Sequence, residues 1–162
     1  MTTGYAVESS VPKPLPIGGL LLLPAIGIVL SPIVGVVALF IGLGAFTEVQ
    51  AAGFGAIYAL ELVTTGALLA FSVYTAIRFF GRRSDAPTLM IILMLSGLVT
   101  GAALLLIEWG VGASEFAVET IKGLFRDGFS AAIWIPYFKQ SKRVKATFVD
   151  SGADLTRNHP MV

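Results

Sequence analysis

The chain has no cysteine among its 162 residues and a single histidine, His159. Without cysteine there can be no disulfide, thiolate metal site or cysteine nucleophile. One histidine in a polar stretch supplies neither a histidine metal cluster nor a serine–histidine catalytic pair. No cofactor or metal site is expected on this basis. Charge is the third shortage: Asp, Glu, Lys and Arg make up 13% of the residues, about half the ~25% of a soluble domain. The formal net charge of +1 lacks the basic excess that a nucleic-acid partner would call for. From Pro14 through Thr47 no side chain is ionisable.

What is present is apolar surface. Hydrophobic residues reach 56%, and about 20 of them in one helix cross a hydrocarbon layer of ~30 Å. The first span is placed near Gly18–Ile41 of a longer apolar run. Pro24 and Pro32 lie inside it as kinks, and Gly42 and Gly44 loosen its end. Pro12, Pro14 and Pro16 make a stiff approach. The second span is about Phe54–Phe79 and the third about Pro87–Trp109. The fourth, over residues 118–138, is amphipathic. Glu115, Glu119, Lys122, Arg126, Ser130 and Tyr137 project on one narrow face at 100° per residue.

Positive residues stay on the cytoplasmic side of a membrane. Lys13 precedes the first span. Arg78, Arg82 and Arg83 close the second, and Lys139, Lys142, Arg143 and Lys145 follow the fourth. Four spans place all three basic clusters on one side and the acidic Glu48 and Glu115 on the other. The expected fold is therefore an all-α integral membrane protein, a four-transmembrane-helix bundle with both termini cytoplasmic. Residues 1–16 form a cytoplasmic N-terminal segment, 17–139 the bundle and 140–162 a basic, then polar tail. Trp109 is expected at the outer interface, with Trp134 and Tyr137 at the inner one. The four tail cations are expected to contact anionic lipid headgroups.

Charges inside a bilayer cost roughly 2.5–3.5 kcal/mol each and need a reason. Helix rise puts Glu61 about 25 Å above Arg78, Arg126 about 20 Å above Lys139 and Lys122 about 25 Å above it. An interhelical ion pair of Glu61 with Arg126 follows as an expectation, extended by Lys122 and Glu108 into a polar seam. Glu108 stands higher, level with Glu119. Gly97 and Gly101 form a small-xxx-small pair suited to close helix packing.

Ile17-Gly18-Gly19-Leu20-Leu21-Leu22-Leu23-Pro24-Ala25-Ile26-Gly27, with Leu30-Ser31-Pro32, resembles the opening of a bacterial family of small inner-membrane proteins. Ala132-Ile133-Trp134-Ile135-Pro136-Tyr137-Phe138 and Ser141-Lys142-Arg143-Val144-Lys145-Ala146-Thr147-Phe148-Val149 are similar to its closing signature. The family is catalogued as domain of unknown function 2569. The resemblance covers about Ile17 to Val149 and implies four transmembrane helices, with an acid in the second span and an arginine before the closing motif. Glu61 and Arg126 match those places. Leu20 departs from a common tryptophan, and Gln140 interrupts the apolar-to-basic junction.

The family carries no activity to transfer. The chain is expected to be a non-enzymatic accessory or scaffold protein of the bacterial inner membrane, acting through helix and lipid contacts. Its partners are membrane lipid and either further copies of itself or a larger membrane complex. The alternative is a small oligomeric transporter or proton-linked carrier using Glu61 and Arg126.

Overall fold

The computed structural model describes residues 15–148, with the backbone alone for 114–116. Lys13, Pro12, Pro14, the Glu115 side chain and the tail beyond Phe148 lie outside that description. A 3-10 turn, Gly19–Leu21, leads into α1 (Leu22–Ala51); α2 (Gly55–Phe80), α3 (Ala86–Gly110), α4 (Ser114–Gln140) and a short α5 (Lys142–Thr147) follow. There is no strand among the described residues. Three segments are long and apolar enough to cross a membrane: Gly19–Ala51, α2 and α3. The 27 residues of α4 are sufficient in length, but their polar stripe leaves α4 outside that class.

Two features of the first helix differ from expectation. Pro24 falls in the first turn of α1, where a backbone N–H has no intrahelical acceptor to lose; only Pro32 lies inside the helix. Nor do Gly42 and Gly44 end it, since α1 continues for 30 residues to Ala51. At ~1.5 Å per residue that is about 45 Å, longer than the hydrocarbon layer, so the helix must tilt or extend past it. Gly42 is instead a contact point. It is buried, and a Cβ there would stand 2.6 Å from Leu62 Cδ2 and 3.3 Å from Tyr58 Oη. Lipid offers no hydrophobic drive between helices, so close approach over small residues supplies the attraction.

Extensive packing joins sequence neighbours: α1 with α2, α2 with α3 and α3 with α4. The buried core lies at one end of the bundle. Leu21, Ala25 and Ile28 of the first segment meet Phe79 of α2, Ala86 and Met90 of α3 and Phe138 of α4. The short α5 completes this cluster. Val144, Thr147 and Phe148 share the i, i+3, i+4 face and are buried, while Lys142, Lys145 and Ala146 face out. Phe148 packs on Phe79 at 5.0 Å between ring centroids. The Ser141 hydroxyl caps α5 by accepting from the Val144 N–H at 3.4 Å, and the Leu15 N–H donates to the Ala146 carbonyl at 3.2 Å.

At the same end, residues 81–85 turn α2 into α3. Arg78 Nε donates to both carboxylate oxygens of Asp85, at 3.2 and 3.0 Å, and its Nη2 also pairs with that carboxylate. The Arg78 hydrogen bonds hold the Asp85 carboxyl below its usual range, outweighing desolvation.

A carboxyl held low when folded stabilises above its unfolded value of about 3.9 and loses that contribution as pH falls through the folded value. Asp85→Asn is therefore expected to lower the melting temperature in mild detergent at pH 7. The gap from the unaltered chain should close as both are titrated below that range. Gly42→Val is expected to cost about 1–3 kcal/mol by overpacking α1 against Leu62. Gly44→Val, where a Cβ meets nothing within 4 Å, should melt like the unaltered protein.

Candidate functional site

The end of the bundle opposite the core carries two acids. Glu61 lies in the second turn of α2 and Glu108 near the close of α3, so antiparallel packing brings them to one level. Glu108 is 2% exposed. Thr120, from α4, donates its hydroxyl to Glu108 Oε1 at 3.0 Å. Glu108 Oε2 is buried and has no hydrogen-bond partner. Glu61 is half-buried and borders the same small void as Glu108. Phe54, Ile57, Tyr58 and Ala113 close a void of about 10 Å³ around the two acids, enough for about one water.

Arg126 and Lys122 have other partners. Arg126 Nε donates to Asp127 Oδ1 at 3.0 Å, and Lys122 pairs with Glu119 at 2.6 Å. Among the described residues no ion pair joins Glu61 to Arg126 or Lys122. The reason is register. Thr120 marks the level of Glu108, and Arg126 lies six residues further along α4, about 9 Å lower. Its neighbour Asp127 is already within reach. Glu119 and Lys122 are exposed, so this part of the α4 polar stripe forms no seam with Glu61. Thr120 is the residue that sequence reasoning missed. Placing Glu108 level with Glu119 was one residue from finding it.

A larger cavity, about 590 Å³, lies in the middle of the bundle. All four long helices contribute to its wall. Most of the wall is apolar, including Leu30, Val34, Leu69 and Leu93. Thr65, Ser72, Ser130 and the Arg126–Asp127 pair add polar groups. Ser72 donates to the Leu69 carbonyl at 2.8 Å, which lowers the cost of a hydroxyl in apolar surroundings. Gly97 opens onto the cavity and a Cβ there meets nothing within 4 Å, whereas a Cβ on Gly101 would stand 2.9 Å from Leu124 Cδ2. Of the two glycines, then, Gly101 carries the α3–α4 approach and Gly97 widens the cavity.

A family described as "Protein of unknown function (DUF2569)" matches residues 14–149. The chain belongs to this family. No curated protein and no solved structure matches it. In this DUF2569 chain the acid pair, the cavity and α5 all fall inside the matched stretch.

The basic end of the DUF2569 match is divided in its roles. Lys139, Lys142 and Lys145 are exposed. Arg143 instead lays its guanidinium over the backbone before α1: a Cβ on Gly18 or Gly19 would be 3.2 Å from its Nη atoms. Gly19 has φ +60°, a left-handed conformation that glycine adopts without strain. Trp109 is 64% exposed at the other end. Trp134 and Tyr137 pack edge-to-face at 5.6 Å and lean on the core.

Arg143→Ala is expected to loosen α5, seen as faster proteolysis near residue 143 and a lower melting temperature. Lys142→Ala and Lys145→Ala should leave both unchanged and reduce the anionic lipid that co-purifies in mild detergent.

Proposed function

We infer that this protein is a non-enzymatic accessory or scaffold protein of the bacterial inner membrane, acting through helix and lipid contacts. The observation that carries this reading is the cavity of about 590 Å³ between α1 and α4, two helices that are not an extensively packed pair. Its apolar wall, on a bundle whose α1 also exposes Ile33, Phe40 and Ile41, suits an acyl chain or the apolar side of a partner's helix. In lipid such a surface associates by shape and dispersion. The reading includes four spans, with α4 crossing beside α3 and both termini cytoplasmic. Its support is the common side given to Arg78, Arg82, Arg83 and the α5 cations, together with the close packing of α4 on α3. No nucleic-acid partner belongs to this reading.

A second reading, a small oligomeric carrier, draws on the Arg126–Asp127 pair at the cavity wall. It uses that pair in place of Glu61 with Arg126. Flux of protons, ions or small solutes from loaded liposomes separates the two readings: the accessory reading expects none.

Gly97→Leu fills the cavity without meeting a neighbour at Cβ. Purified from native membranes in mild detergent, this variant is expected to keep its melting temperature and lose at least half of the lipid or protein that co-purifies with the unaltered chain. Equal recovery from both would set the cavity aside as the contact surface.

A further inference from the structure

We propose that Glu61 and Glu108 form a proton-binding dyad, holding one exchangeable proton between them inside the membrane-spanning bundle. The argument starts from an unmet acceptor. Glu108 is buried, Thr120 satisfies its Oε1, and Oε2 has no donor. A buried acceptor left without a donor costs about 1–3 kcal/mol, more when charged. Glu61 borders the same one-water void, and a proton carried on either carboxyl supplies the missing donor, directly or through one water. Two like charges bordering one such void are unfavourable together, as paired carboxylates elsewhere demonstrate.

Among the described residues no ion pair joins either acid to a cation. On α2 the neighbouring titratable side chain is the Tyr58 phenol. From α4 the contact is the Thr120 hydroxyl, while the nearby Lys122 is exposed and engaged by Glu119. On α1 the one charged side chain is Glu48, exposed in the last turn. Arg126 is occupied by Asp127 about 9 Å below. A metal ion fits this chemistry less well. Calcium takes six to eight oxygen ligands, and no third metal-ligating side chain among the described residues joins the two acids. A void near 10 Å³ leaves little room for ligand waters.

The dyad is a bound-proton site in its own right and stands apart from the cavity between α1 and α4. Loading and unloading it changes the charge at the junction of α2, α3 and α4, where Thr120 ties α4 to Glu108.

The test is infrared titration of the full chain in lipid nanodiscs, with glutamate carbon-13 labelled so that its carbonyl stretch separates from that of aspartate. At pH 7 the signal of about one protonated glutamic acid per chain is expected. It should shift in heavy water and vanish in the Glu61→Gln/Glu108→Gln double variant. Glu119→Gln, at an exposed site, should leave it intact. Absence of the signal from the unaltered chain at pH 7 overturns the proposal without recourse to any variant. So does persistence of the signal in the double variant, or its loss on adding sodium at constant pH, which would identify a cation as the occupant. If the double variant fails to stay monodisperse in detergent, Glu61→Asp/Glu108→Asp takes its place. Retention of the protonated signal, moved to the aspartate frequency, then supports the dyad, and a signal left at the glutamate frequency overturns it.

Discussion

Phe148 and Val144 sit where the ends of α1, α2, α3 and α4 converge, and the rest of the bundle depends on that contact. Phe148 packs on Phe79 with the rings tilted, and the same cluster takes in Leu21, Met90 and Phe138. Burial of this kind is favourable only where water is the alternative solvent, so it is effective at the membrane edge and not in the hydrocarbon. The amphipathic α5, with exposed lysines on one side and Val144, Thr147 and Phe148 on the other, suits such a boundary. Arg143 over Gly18–Gly19 and the Leu15–Ala146 hydrogen bond then fasten the approach to α1 onto α5.

Fastening at one end explains the middle. Along the bundle α1 holds to α2 through Gly42 against Leu62, and α4 holds to α3 through Gly101 against Leu124. Those approaches need small residues because lipid contributes no hydrophobic drive. Nothing comparable joins α1 to α4 midway, and the cavity opens between them. The prolines bear on this less than their number suggests, since Pro24 sits in a first turn and Pro32 alone interrupts α1.

Charge is distributed by the same logic. Among the described residues three ion pairs join groups one to seven residues apart: Arg78 with Asp85, Lys122 with Glu119, Arg126 with Asp127. Local pairs need no agreement between helices. Glu108 is the exception. It is buried, joined to Thr120 across the α3–α4 interface and set beside Glu61. A group retained at that cost is a functional candidate by physical reasoning alone.

Hydropathy and period alone determined the helices. An uncharged run from Pro14 to Thr47 has no solvent but lipid, and a 3.6-residue stripe marks α4 as different from α1. The family was legible for a similar reason, because the closing motif from Ala132 to Val149 is distinctive in its residues. Which charges meet was decided only by the tertiary structure. Glu61 and Arg126 have matching heights when each helix is measured from its own basic end, but helix packing sets the relative shift and rotation of α2 and α4, and a few ångströms replace one partner with another. The same holds for Gly42, which reads as a helix end until Leu62 is seen against it. It holds also for Arg143, a lipid anchor in one dimension and a clasp on Gly18–Gly19 in three. Composition and period are properties of single helices; contacts belong to pairs of helices, and a pair's geometry is the sum of many side chains that no single stretch contains.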